Sequence, residues 1–345
     1  MKRSLKRILL LRTDRIGDVV LTTPAVTVLR DKFPDIHITF MAREYTRPML
    51  ERYRGIDDIF VYDPEKKHHG LSGHWRLAKE LRELSYDAAI FFYPRPRLAA
   101  AVKVAGIPLR IGNGYKWYGS LFNERIYEHR KRGSKHELEQ NLVMLQSLIG
   151  EISEEIQFDF QIEESLENWQ KNLFKKEGIS ADYYIIHPGS GGSAPNLSTV
   201  QYRTVYHTLL QHSNASVVFT GSAEERRIID DIIAAPSDRI FNMAGKFDLV
   251  QLMAVVNGAR LLIASSTGPI HLANAFRVPV IGFYCPSAPC APQRWGPYHQ
   301  LNWVMVPEVA PCTHCSVEKC SNGNCLAKIP DGDITTFIDK RLSEL

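Results

Sequence analysis

Short apolar runs alternate along this chain with longer stretches in which apolar residues recur every three or four positions. Runs of the first kind read as buried strands and the second as amphipathic helices, and their alternation predicts βαβ units with parallel sheets. In the first half, Ile8–Leu11, His37–Ala42, Ile59–Tyr62, Ala88–Tyr93 and Leu109–Gly112 predict strands, with helices between them such as Trp75–Leu84. Glu137–Gly150 reads as one further amphipathic helix ending on a glycine. A charged stretch, 151–182, contains one helical pattern around Leu166–Lys176 and suits a domain boundary. The alternation then restarts, with strands at Tyr183–His187, Ser216–Thr220, Arg239–Met243, Leu261–Ala264 and Val278–Phe283 and helices such as Glu224–Ala234 and Leu249–Asn257. Asp333–Leu345 predicts a closing helix with Asp331 or Asp333 at its cap. The expected domains are 1–165 and 180–330, followed by a C-terminal helix at 331–345, with ligands at the carboxyl ends of the strands.

A length of 345 residues fits two such domains, and 44% hydrophobic with 23% charged residues fits a soluble globular chain. No uncharged apolar run approaches the length of a membrane span. The opening MKRSLKRILLLRTDR is basic, but its apolar run is short and no small-residue cleavage site follows, so a first strand is expected rather than a signal peptide. The expected location is the cytoplasm. Charge changes this picture most. Residues 1–135 hold 27 Lys+Arg against 15 Asp+Glu, whereas residues 136–345 hold 15 against 23. The first half should therefore attract an anionic partner: an acidic or phosphorylated glycan, nucleic acid, or an anionic membrane face. Arg95, Arg97 and the cluster Arg130–Arg132 stand out within it. No nucleic-acid-binding module accompanies this charge.

All six cysteines fall near the C-terminal end, and Cys312, Cys315, Cys320 and Cys325 share a Ser/Asn/Gly-rich segment. In a cytosolic chain, two readings stay open: a structural metal at these four thiols, or reduced thiols in a structural loop. Their spacing matches no standard zinc finger.

The loop after the first run, RTDRIGDVV, opens a helix as a dinucleotide site would, yet it lacks the G-x-G-x-x-G fingerprint. That disfavours an NAD-linked oxidoreductase. Asp14 reads as a turn or capping residue, whereas Asp18 enters the helix at its anion-stabilising end. Four strand-end loops in the second half read as a nucleotide-diphosphate pocket. HPGSGGS brings the amides of Ser190, Gly191 and Ser193 to a diphosphate. Glu224 or Glu225 accepts from ribose hydroxyls, and Asn242, Met243 and Gly245, followed by Lys246, border the base. In IASSTGPIHLANAF, Ser266, Thr267 and Gly268 lead into a helix whose first turn carries His271, an arrangement suited to a phosphate.

Taken in order, D-x-x-I-G-D-x-x-x-x-T-P, P-G-S-G, G-S-x-E-E, N-M-A-G-K and S-T-G-P-I-H-L-A resemble glycosyltransferase family nine, the ADP-heptose:lipopolysaccharide heptosyltransferases. The resemblance spans nearly the whole chain, including the segment PCTHCSVEKC. It implies a GT-B fold, two Rossmann-like domains whose parallel sheets face a central cleft, and metal-independent, inverting transfer of heptose from ADP-heptose to the lipopolysaccharide inner core. No cofactor is then required for catalysis. Asp18 matches the family's general base, and Ser266, Thr267, Gly268 and His271 match its phosphate and sugar contacts. The acceptor, a lipid A-Kdo glycolipid, would meet Arg15, Gly17, Arg95 and Arg97, and the protein would contact the inner membrane transiently. Two departures bear on the donor. Many relatives carry lysine in a K-x-W setting where this chain reads Ala194-Pro195-Asn196-Leu197, and aspartate where it has Ser266. Lys246 or Arg15 is then the candidate cation for the diphosphate. The same fold acting with another nucleotide sugar or on a non-lipopolysaccharide glycan or protein, and a non-catalytic nucleotide-sugar-binding relative, are the alternative readings.

Overall fold

A computed structural model describes residues 5–129, 135–152, 155–192, 194–235, 237–310 and 323–345. The chain divides into two compact units, one of Met1–Arg130 with Glu137–Gln161, the other of Lys131–His136 with Ile162–Leu345.

In the first unit the strands are β1 (Arg7–Leu11), β2 (His37–Ala42), β3 (Asp58–Val61), β4 (Ala88–Phe91), β5 (Leu109–Asn113) and β6 (Glu124–Ile126). Every pairing is parallel, in the order β3-β2-β1-β4-β5-β6. The second unit repeats the plan with β7 (Tyr183–His187), β8 (Ser216–Phe219), β9 (Ile240–Asn242), β10 (Leu261–Ser265), β11 (Val280–Phe283) and β12 (Val304–Met305). Its order, β12-β11-β10-β7-β8-β9, is the same doubly wound arrangement read from the other edge. In such sheets the order reverses between the first and fourth strands, and ligands collect at the carboxyl ends there. In these units that point lies between β1 and β4, and between β7 and β10.

Central strands are covered on both faces, so they read as unbroken apolar runs: β10 is buried at all five positions and β1 at four of five. Leu9, Leu11, Ala89 and Phe91 pack against Leu77, Leu81, Leu98 and Val102 in the first unit. Ile186, Phe219, Ile263 and Phe283 share the second core with Tyr202, Val205, Leu209 and the C-terminal Ile334 and Ile338.

Each of the ten expected strands is present. The two without a prior signal, β6 and β12, are edge strands of three and two residues, too short to carry a pattern. The stretch Glu137–Gly150 is not one helix but two, Glu137–Val143 and Gln146–Ile149. Between them a tight turn, closed by Met144 N donating to Asn141 O and Leu145 N to Leu142 O, carries Met144 and Leu145, both fully buried. The last helix, Asp331–Leu342, is preceded by Pro330 at its cap, with Asp331 and Asp333 inside the first turn; neither aspartate makes a cap bond. There they face the positive helix end instead.

Candidate active site

The site of the first unit grows from the end of β1. Its last apolar residue, Leu11, is followed by Arg12, whose guanidinium is 1% exposed. A charge this deep must be matched by partners. Arg12 Nε donates to Asp14 Oδ1 at 2.7 Å, and Nη2 donates to Asp18 Oδ1. Nη1 donates to Glu137 Oε1 at 3.2 Å and to Asn141 Oδ1 at 3.1 Å. Asn141 passes the connection on, donating from Nδ2 to Leu21 O and to Thr22 Oγ1, both at 3.0 Å. The Thr22 hydroxyl donates in turn to the carbonyl of Asp18 at 2.8 Å. Asp18, third residue of the short helix Ile16–Val20, is thus held through both its side chain and its main chain.

Electrostatics follow from this crowding. Burial works against the Arg12 charge, but Asp14, Asp18 and Glu137 outweigh it and raise its pKa. Burial pushes the Asp14 carboxyl up to about 6, with Arg12 opposing and Asp18 adding to the rise. Asp14 is therefore a half-buried partner of Arg12 at the bend before the helix; the cap position itself falls on Arg15, and the Asp14 carbonyl accepts from the Tyr45 hydroxyl. Burial raises the Tyr45 phenol, and Asp14 adds to that.

Of the expected acceptor residues, Arg15 is exposed at the cap of the Asp18 helix, and Gly17 is buried within that helix. Arg95 is exposed and stacks over the Tyr93 ring at 4.7 Å, with Arg12 5.7 Å from the same ring. Arg97 is engaged differently from Arg95: its Nη2 donates to the carbonyls of His68 and Gly70. That makes it a tie between loops. The residues missed by sequence reasoning are Arg12, Tyr45, Tyr93, Glu137 and Asn141. One signal is legible: a charged residue directly after a fully apolar strand, with aspartates two and six positions on, needs a buried counter-charge.

In the second unit the expected loops do lie at the carboxyl ends of β7, β8, β9 and β10. His187 ends β7, its Nδ1 2.9 Å from Thr220 Oγ1, and burial takes its pKa down to about 4 against the opposing charge of Glu225. Glu225 Oε2 accepts from Ser222 N at 2.8 Å. Its other oxygen lies 1.8 Å from where a Cβ on Gly189 would fall, so any larger residue at 189 would displace the Glu225 carboxylate. Glu225 thereby joins two strand-end loops, while Glu224 is exposed, its carboxyl held below the usual range by its own backbone N–H and by Ser222. Ser190 Oγ donates to Ala194 O at 2.7 Å, and Gly191 turns with φ +54°. Asn242 donates to Arg226 O and Asp230 Oδ1 and accepts from Ala244 N, so its side chain shapes the turn. Met243 is buried and Lys246 exposed. Gly245, at φ +70°, sits 2.8 Å, measured from a built Cβ, from the Ala223 backbone.

Thr267 caps the helix Gly268–Ala275 in an extended conformation, with Ser266 and Gly268 half-buried beside it. His271 occupies the first turn but is 4% exposed, its ring 6.4 Å from that of Trp295. Ser193, Cys312, Cys315 and Cys320, like the cluster Arg130–Arg132, lie outside the described residues. Cys325 is buried in the second core. Among the described residues no three His, Cys, Asp or Glu side chains are grouped to hold a metal.

Two doubly wound units, one with an arginine-held carboxylate and one with glycine/serine loops at a helix start, are the two domains of a GT-B fold. Comparison with known proteins narrows the class. Residues 74–326 match the family model described as Glycosyltransferase family 9 (heptosyltransferase), and the chain belongs to that family. It is similar to a provisionally named glycosyltransferase of Haemophilus influenzae, 28% identical over 94% of this chain and 96% of that one. It is also similar to Lipopolysaccharide heptosyltransferase 3 of Escherichia coli, 24% identical over 95% and 96%. Among solved structures, Escherichia coli ADP-heptose lps heptosyltransferase II superposes with a TM-score of 0.78 at 20% identity, covering 98% of this chain and 99% of the other.

Proposed function

We propose that the protein moves a heptose, or a closely related sugar, from ADP-heptose to the inner core of lipopolysaccharide, with Asp18 as general base. The observation that carries this reading is the Asp18 side chain at the carboxyl end of β1, its carboxylate bound by Arg12 and its main-chain carbonyl by the Thr22 hydroxyl. Membership of a heptosyltransferase family and likeness to proteins named for ADP-heptose and lipopolysaccharide support the choice of sugar and acceptor.

The acceptor hydroxyl is a poor nucleophile until its proton is taken. Asp18 accepts that proton as the oxygen attacks the anomeric carbon. The new C–O bond forms as the bond to the diphosphate breaks, and ADP leaves with both electrons of that bond. Amides at the start of Gly268–Ala275 and in the loop 189–192 are suited to the charge developing on the diphosphate, because they need no reorganisation. Lys246, exposed in the loop after β9, is the candidate counter-charge where relatives carry a lysine. Arg15 and Arg95 suit an acceptor bearing acidic sugars and phosphates, and such a lipid-linked acceptor places the protein at the cytoplasmic face of the inner membrane. Among the described residues no helix is long and apolar enough to cross a membrane.

Incubation with ADP-heptose and inner-core acceptors tests the reading. Transfer is expected from the parent, and Asp18→Asn should lower kcat by roughly 100-fold or more while donor binding stays intact. Absence of transfer by the parent with donor still bound would favour a binding protein.

A further inference from the structure

The rim that carries Asp18 has a second character. Helix Gly70–Glu83 buries Gly73, Leu77, Ala78 and Leu81, yet it also presents Leu71 and Trp75, one turn apart, at 83% and 63% exposure. Beyond β5, Trp117 is 87% exposed beside exposed Tyr115 and Lys116. These side chains are not exposed for want of local structure. A Cβ on Gly73 would fall 2.3 Å from the His68 carbonyl carbon, so the helix start is pressed onto the preceding loop. Arg97 donates to the carbonyls of His68 and Gly70, and the buried Tyr118 donates to Pro94 O at 2.6 Å. The loops after β3, β4 and β5 are thereby tied into one platform.

Charge decides what such a platform fits. Lys66 and Lys67 are exposed ahead of Leu71, Lys67 pairing with Glu80 at 3.0 Å so that it adds less charge than Lys66, and Lys116 adjoins Trp117. Protein interfaces deplete lysine at their centres. Lysine interleaved with tryptophan and leucine is instead the composition of a bilayer interface, where the rings and aliphatic groups enter the headgroup boundary and the ammonium groups meet lipid phosphates. Among the described residues of the second unit the large exposed apolar side chains, Val200, Ile228 and Leu345, stand singly on separate segments.

We propose that Lys66, Lys67, Leu71, Trp75, Lys116 and Trp117 form a docking surface for an anionic phospholipid bilayer. This deepens the proposed function and rests on it in one respect: a lipid-linked acceptor brings the Asp18 rim to a membrane. The test floats the full chain with vesicles of phosphatidylcholine alone or mixed with phosphatidylglycerol. Binding is expected to the mixed vesicles, weakened by salt, with a blue shift of tryptophan emission. Leu71→Glu with Trp117→Glu should cut the bound fraction by about tenfold or more. The milder Trp75→Ser should weaken binding and the blue shift together. Both variants should keep the parent's thermal unfolding and its turnover on a water-soluble, delipidated acceptor. Failure of the parent to float with anionic vesicles would overturn the proposal, as would unchanged binding by the double variant. Dissociation of a parental dimer by the double variant would assign the patch to a second copy. Loss of soluble-acceptor turnover with flotation intact would make it a sugar site. Flotation that behaves as expected without any heptosyl transfer would overturn the proposed function and leave the docking surface standing.

Discussion

Arg12 shows how one residue reorganises the reading of a site. On sequence it merely ends an apolar run; in the fold it is the buried cation on which Asp14, Asp18, Glu137 and Asn141 converge. The planar fork is what permits this, since five donors in fixed directions reach several acceptors at once and an ammonium cannot reproduce them. Arg12→Lys should therefore lower kcat by about tenfold or more with the donor KM nearly unchanged. Arg12→Ala, which strands buried carboxylates, should cost about 3 kcal/mol or more in stability by denaturant unfolding. Two titrating groups give the units opposite pH dependence. Asp14 has a folded pKa raised from 3.8 to about 6, so its contribution to stability is present below the unfolded value and lost as pH rises through 6. His187 has a folded pKa lowered from 6.5 to about 4, so its contribution is present above 6.5 and lost as pH falls through 4. Calorimetry across pH 4 to 7 should show Asp14→Asn relieving the loss on the alkaline side and His187→Gln flattening the loss on the acidic side.

At the level of elements, legibility followed local signals. Leu249–Asn257 has the bounds its pattern predicts because its ends are marked: Asp248 and Gln251 form a capping box, and Gly258 follows. Glu224–Ala234 was read two residues early, because Glu225 turns back to Ser222 N and the helix starts only at Arg226. The Gly/Ser loop after β7 was read as a phosphate cradle. Its sequence did not reveal that Gly189 makes room for the Glu225 carboxylate, since that contact joins loops 36 residues apart. Gly189→Ala should swing Glu225 away, costing about 1 kcal/mol through the lost Ser222 hydrogen bond. A higher donor KM in the same variant would show that this junction shapes the donor loops, and steady-state kinetics would measure it.

Across the whole molecule, the repetition of an α/β plan was legible because parallel central strands are short, wholly apolar runs set between longer amphipathic stretches, whereas the strand order, which depends on pairings between distant segments, was not. The clamp around Asp18 was not, because its members are adjacent only after folding. The excess of Lys+Arg in residues 1–135 has a measurable consequence of its own: the KM for an anionic acceptor should rise several-fold between low and physiological salt as the charges are screened. The buried contact between Arg12 and Glu137 spans 125 residues. During synthesis from the N-terminus, then, the clamp around Arg12 stays unfinished while the next 125 residues are added, on the order of ten seconds at ordinary elongation rates. A nascent chain halted at residue 130 would hold every strand of the first sheet and still lack the carboxylate that closes the clamp around Arg12.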